Sequence, residues 1–167
     1  MIEYRRICED DAAGFRQAVG IVAEERNYLS FTSAFPLEEV RKFVEAIVQN
    51  NLPQLLALDS ERVIGWCDVI PFKQGGMKHV GTLGMGVLPE YRGRGIGQEL
   101  IERCILQCRI FGLEKIELEV WSDNIVAHAF YLKNGFVEEG VRLRARKIDG
   151  RYQDAIIMRR FINEGDV

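Results

Sequence analysis

The hydrophobic pattern changes period five times along the chain. Between Asp10 and Arg26, Phe15, Val19 and Val22 fall at i, i+4 and i+7, the apolar stripe of a helix with Asp10 and Asp11 as capping candidates. A second helix follows, with Pro36 suited to its first turn. Val40, Phe43, Val44, Ile47 and Val48 repeat at helical spacing until Asn50, Asn51 and Pro53 end it. The period then shortens. Gln54 to Leu58 and Val63 to Ile70 are short apolar runs joined by Asp-Ser-Glu-Arg, a hairpin of antiparallel strands in which Gly65 marks a bulge. After the polar loop Lys73 to Lys78, His79 to Val87 reads as another strand, one unusually rich in glycine.

Helical order returns from 95 to 111, where Ile96, Leu100, Cys104 and Cys108 share a four-residue spacing and Gly112 stops the run. Ile116, Leu118 and Val120 alternate with glutamates in a strand, and Ser122 to Asn134 forms a short helix ended by Gly135. Two last strands, Phe136 to Lys147 and Tyr152 to Phe161, pair across Ile148-Asp149-Gly150-Arg151, a strong turn signal. The order is βααβββαβαββ. The fold class is therefore α/β, a central mixed sheet flanked by helices, and with neither repeat nor linker residues 1–167 read as a single domain.

Composition excludes several classes. With 47% hydrophobic and 28% charged residues the chain is a globule, and no apolar run approaches the ~20 residues of a membrane span. Residues 1 to 11 lack the apolar core of a secretory signal, so a cytoplasmic location is expected. Cys8, Cys67, Cys104 and Cys108 show no CxxC spacing and are expected as reduced, buried thiols. Only His79 and His128 could join them around an ion, so no metal site is expected. The formal charge, 22 − 25 = −3, gives no field for nucleic acid. Arg142, Arg144, Arg146, Lys147 and Arg151 are accordingly expected to coat a solvated strand face.

One anomaly remains. Of 16 glycines, six (Gly81, Gly84, Gly86, Gly93, Gly95 and Gly97) lie between positions 81 and 97. The later three sit between a strand and a long helix, where glycine lets backbone N–H groups converge and the helix start supplies unpaired donors, the makings of an anion cradle. Arg92 and Arg94 add positive charge. A P-loop needs a Gly-Lys pair, which the chain lacks, and the dinucleotide fingerprint GxGxxG fails at Gln98 in one register and at Leu100 in the other.

Arg92-Gly93-Arg94-Gly95-Ile96-Gly97 reads as RxxGxG and resembles the pyrophosphate-binding signature of the GCN5-related N-acetyltransferase (GNAT) superfamily. Asn124, Ala127, Tyr131, Gly135 and Phe136 stand in the order and spacing of the family's later hallmark. The resemblance spans residues 79 to 161 and agrees with the element order read from periodicity. It implies acetyl-CoA as co-substrate, no metal, and direct attack of a primary amine on the thioester in a ternary complex. It also implies that the fourth and fifth strands splay, so that the pantetheine arm pairs with free backbone like an added strand. The cofactor-binding residues would be Met85, Gly86, Val87, Arg92, Gly93, Arg94, Gly95, Ile96, Gly97 and Asn124. On this reading the glycines at 81, 84 and 86 give a bulged strand that frees the N–H groups of Met85 and Val87, with Val87 facing the developing oxyanion.

Local sequence alone favours core packing for Tyr131, and the resemblance reverses this, since Tyr131 matches the family's general acid, a phenol that protonates the departing thiolate. Asn124 is either a helix cap or a cofactor contact. Where histone-type relatives carry a glutamate this chain has Gly81, so His79, on the same strand face, becomes the candidate base; the alternative is a histidine at a strand end. By the resemblance, the first two helices and their loop, including Glu24, Glu25, Tyr28 and Phe31, form the acceptor side. The ending around Asp149, Tyr152 and Asp154 is similar to a branch acting on amino acids and other small amines. The expected acceptor is thus a small-molecule amine, an amino acid or amino-sugar compound, with protein N-terminal or ribosomal-protein acetylation second and a non-catalytic CoA-binding module third. Open-edged sheets make a homodimer plausible, and no nucleic-acid or membrane partner is expected.

Overall fold

The computed structural model describes residues 1–162. Strand β1 (Ile2–Arg6) runs through a short turn into α1 (Ala12–Glu24), followed by α2 (Leu37–Gln49). Strands β2 (Gln54–Asp59), β3 (Arg62–Pro71) and β4 (Val80–Val87) come next, then α3 (Ile96–Phe111), β5 (Lys115–Trp121) and α4 (Ile125–Lys133). A hairpin of β6 (Val137–Ile148) and β7 (Arg151–Phe161) completes the order expected from periodicity. In its turn Asp149 and Gly150 both take positive φ, as a tight hairpin turn requires.

The apolar stripes go where their spacing sends them. Phe15, Val19 and Val22 of α1 are buried, as are Val40, Val44 and Ile47 of α2, while Phe43 stays partly exposed and stacks on Phe15 at 6.2 Å, and Val48, expected in the same stripe, lies at its edge and is exposed. Asp11 does not cap α1 with its side chain. Its carboxylate instead accepts two 2.7 Å bonds from Arg5 and one of 2.8 Å from the Cys8 N–H. Cys67, Cys104 and Cys108 are buried free thiols, but Cys8, expected to be buried, is exposed because it precedes the first helix at the surface.

The strands form one sheet in the order β1-β2-β3-β4-β5-β7-β6. The β2–β3 bulge falls beside Gly65: Ala57 faces Gly65 and Leu58 faces Val63, leaving Ile64 as the extra residue. Side chains alternate between sheet faces, so Trp66 meets Phe15 of α1 while Cys67 lies with Cys104 of α3 on the other face. Strands β4 and β5 are parallel neighbours for only three pairs, Val80 with Lys115, Gly81 with Ile116 and Thr82 with Glu117. Beyond Thr82 they diverge.

The expected bulge in β4 is absent. Its pairing with β3 runs unbroken from Gly81 opposite Pro71 to Val87 opposite Gly65. The strand's glycines answer to its neighbour: a Cβ at Gly86 would stand 2.3 Å from the Trp66 ring, one at Gly81 2.5 Å from Val69 Cγ1, and one at Gly84 3.3 Å from Asp68 Oδ1. β4 is smooth because β3 lays its side chains across it.

The arginine-rich β6 also departs from a uniformly solvated face. Two register shifts, between Glu138 and Gly140 and between Arg142 and Arg146, distort its pairing with β7. Arg144 takes a φ of 51°, and its N–H donates to Asp154 Oδ1 at 2.7 Å. Such irregularities re-aim side chains. Arg142 and Arg144 remain exposed, whereas Arg146 turns inward and is 7% exposed. Its guanidinium donates to the carbonyls of Leu29, Arg26 and Asn27 and to Gln153 Oε1, and lies over the Trp121 ring. Trp121 Nε1 donates to the Tyr28 carbonyl at 3.0 Å. The loop between α1 and α2 is thereby fastened to the far half of the sheet.

Candidate active site

The divergence of β4 from β5 creates the site. Phe72 N–H bonds to Val80 O, and Leu88 N–H bonds to Ile64 O, so even-numbered residues of β4 direct their backbone groups toward β3. Odd-numbered residues therefore direct theirs the other way. For Met85 and Val87 that way is the gap, since β5 pairs no farther than Thr82. Two backbone amides thus face a cleft of about 570 Å³ that runs from the gap to the start of α3.

At that start lies the glycine turn. Gly93 and Gly95 have φ of 74° and 79°, in the left-handed region where a side chain is strained, and Gly95 caps α3. The first helical bond runs from Glu99 N–H to Gly95 O, leaving the amides of Ile96, Gly97 and Gln98 outside the helix ladder. Together with the positive end of the helix dipole they suit a pyrophosphate. The turn is braced from behind: Tyr91 donates to Asp59 Oδ2 at 2.8 Å, and Arg62 pairs with Glu90 at 2.8 Å.

The two arginines of the motif have other work. Arg92 donates through Nε to the Val87 carbonyl at 2.9 Å, forms a two-pronged pair with Glu25, and lies 4.7 Å over the Tyr28 ring. Glu25 neutralises most of its charge, so Arg92 chiefly joins the end of α1 to the end of β4. Arg94 is exposed and packs over Tyr91 at 5.3 Å. The cradle is built from backbone rather than from these side chains.

Tyr131 lies on α4 against Phe130 and Phe136, with ring centroids at 5.5 and 5.7 Å, and lines the same cleft. Burial pushes its phenol well above the ordinary value, so it holds its proton across the neutral range. Asn124 caps α4 by accepting from the Ala127 N–H at 3.1 Å, and it also borders the cleft. Met85, Gly86, Val87, Arg92, Gly93, Gly95, Ile96, Gly97, Asn124 and Tyr131 are thus brought together around one cleft, and Arg94 stands outside it.

His79 is not brought to the site. It is exposed just before β4, at the paired end of the β4–β5 ladder, where its carbonyl accepts from Glu114 and Lys115. Six residues of strand, about 20 Å, separate it from Met85. The period-2 rule gave the face correctly, but the strands open at the other end.

A second cavity, of about 390 Å³, lies on the α1 side of β3 and β4. Phe15, Phe31, Phe35, Phe43 and Trp66 dominate its wall. Met85 borders both spaces, so they adjoin at the gap. Asp68 stands in this apolar wall, 8% exposed, opposite Gly84. Burial raises its carboxyl well above the usual carboxylate range. Sequence reading passed over Asp68 as one polar position in an apolar strand, although a lone acid within Val63–Ile70 was the available signal.

Comparison with known proteins gives the family and the fold. The sequence profile of the acetyltransferase (GNAT) family matches residues 22–136, and the chain belongs to that family. An L-amino acid N-acetyltransferase of Escherichia coli is 30% identical over 111 residues, 66% of this chain and 68% of the relative. A spermidine N(1)-acetyltransferase of Vibrio cholerae is 35% identical over 85 residues, and the N-alpha-acetyltransferase RimI of Mycobacterium tuberculosis is 42% identical over 76. Each of these two matches spans about half of either chain. Among solved structures, a phosphinothricin acetyltransferase from Sinorhizobium meliloti in complex with acetyl-CoA superposes with a TM-score of 0.90 at 20% identity, covering 99% of this chain and 90% of that one.

Proposed function

We propose that this protein transfers the acetyl group of acetyl-CoA to the primary amine of a small molecule bound in the aromatic cavity, with donor and acceptor held at the same time. The observation that carries the reading is the meeting of two differently built spaces at Met85: a cleft lined by backbone donors on one side, a bounded apolar chamber on the other.

The donor supplies a thioester carbonyl as the point of attack. The amides of Ile96, Gly97 and Gln98, with the Gly93–Gly95 turn, hold its pyrophosphate. The amides of Met85 and Val87 receive the pantetheine arm as a strand would, and Val87 faces the oxygen that becomes negative during attack. The amine attacks as its neutral form, having lost one proton to solvent. The C–N bond forms as the C–S bond breaks, Tyr131 gives its phenolic proton to the departing thiolate, and the second proton lost from the nitrogen restores the phenol. A phenol with a pKa of ~10 or above can protonate a thiolate of ~8.5 only when held close, so the packing of α4 matters more than acidity.

The match to RimI favours a second reading, acetylation of a protein N-terminus. The fastening of the α1–α2 loop by Arg146 and Trp121 favours the first, because it bounds the chamber where a peptide would need an open groove. Incubation with acetyl-CoA and a panel of amino acids, small amines and N-terminal peptides, following release of free thiol, tests the choice. Activity on small amines is expected, and activity confined to peptides would overturn the reading.

A further inference from the structure

Three charged residues line the aromatic chamber, and of these Asp68 alone is buried, with Arg16 half-buried and Glu39 exposed. Asp68 lies in the middle of β3, directly opposite Gly84, and it is bare only because position 84 has no side chain: a Cβ there would press to 3.3 Å from Oδ1. Among the described residues, Asp68 has neither a hydrogen-bond partner nor an ion-pair partner. On its other side, Gln54 of β2 is its cross-strand neighbour, fully buried, with both amide atoms unsatisfied. Buried polar groups normally find partners, and two adjacent ones without them beside an apolar cavity mark a place kept for a polar group from outside. The other two charged lining residues are engaged or outward: Arg16 donates through Nε to the Phe35 carbonyl at 2.7 Å, and Glu39 is exposed.

Resting on the donor and acceptor assignment above, we infer that Asp68 is the counter-charge for the acceptor's ammonium group, and that the acceptor is a hydrophobic primary amine whose aryl or branched-alkyl body fills the chamber. A carboxylate acting alone in an apolar wall recognises a cation and rejects an anion, because only the cation removes the cost of burying its charge. The body follows from the wall. Phe15, Phe31, Phe43 and Trp66 offer faces and edges to an apolar group and, beyond the single indole N–H of Trp66, no donors for the several hydroxyls of a sugar. The place of Asp68 follows from the sheet: Gly84 precedes Met85, so an amine held at Asp68 waits one residue from the gap. Asp68 thus selects charge, and the aromatic wall selects shape.

Calorimetric titration of the donor-free protein tests this without turnover. Phenylethylamine supplies the ammonium and the aryl group without a carboxylate; its binding supports the inference, and its failure to bind overturns it. Asp68→Asn should weaken that binding by at least about tenfold, the loss expected for a charge-assisted contact. Phe31→Ala, in the wall, should weaken it independently. Glucosamine should not bind, and its binding as tightly as the aryl amine would overturn the apolar class. Unchanged affinity in Asp68→Asn would overturn the role of the carboxylate. Thermal stabilisation by CoA, measured on the same proteins, reports the fold and the donor cleft separately: its retention in the variants isolates the acceptor inference, and its absence from the native protein would instead defeat the acetyltransferase reading.

Discussion

The guanidinium of Arg146 stacks on the indole of Trp121 with its central carbon 4.3 Å from the ring centroid, and from there both side chains reach the same loop. Arg146 takes the carbonyls of Arg26, Asn27 and Leu29, and Trp121 takes that of Tyr28, so four consecutive carbonyls of the α1–α2 loop end on two side chains from the other half of the sheet. Leu29, the last of them, lines the aromatic cavity.

Arg146→Met should therefore loosen the chamber more than the donor cleft. Stripping the carbonyls of their buried donor should cost about 2–4 kcal/mol of stability. In steady-state kinetics the KM for the amine should rise several-fold while that for acetyl-CoA changes little. Equal increases in both constants would show that the loop serves the whole site rather than the chamber.

Gly86→Ala tests why β4 is rich in glycine. A methyl group 2.3 Å from the Trp66 ring forces the indole or the strand to move, at a cost of about 1–3 kcal/mol in denaturant unfolding. In a Trp66→Leu background the same change should cost much less, since the obstructing ring is gone. An equal penalty in both backgrounds would assign the glycine to backbone freedom.

Tyr131→Phe should lower turnover by roughly 10²-fold with little change in affinity for acetyl-CoA. Because burial raises the phenol's pKa, the acid form persists above pH 10, and the native pH–rate profile should lose no activity to Tyr131 ionisation below that point. Turnover of the variant equal to that of the native enzyme would remove Tyr131 from the chemistry.

Asp68 carries a stability signature of its own. Its folded-state pKa is raised, so between the unfolded value of about 4 and the folded value the native state binds a proton that the unfolded chain releases, and stability falls as pH rises through that window. Asp68→Asn removes the penalty. The variant should gain on the native protein as pH is raised from 4 toward 8, measured by denaturant midpoints, and a constant difference across that range would contradict the assignment. His79→Ala, by contrast, should leave both stability and the acidic limb of the rate profile in place.

How much of this was legible depends on how far apart the partners lie in sequence. The glycine turn is local: Gly93, Gly95 and Gly97 announce a cradle because a turn and a helix start follow one another directly. The β4 glycines were legible as an anomaly and misread as to cause, because Trp66, Asp68 and Val69 lie across a strand pairing that composition does not display. Arg146 was misread because a period-2 run of arginines describes a solvated face until a register shift turns one of them inward. His79 failed for a similar reason. A strand pattern gives the face of a residue but not which end of the strand opens.

The three-pair seam between β4 and β5 has a last consequence. A sheet so nearly divided is two panels that share one short seam, and on the proposed function the donor's amide-bearing arm, seated against Met85 and Val87, would add the rungs that the chain itself omits. Part of the protein's stiffness is then on loan from its own substrate. On that reading the stiffness is returned whenever spent CoA leaves the gap.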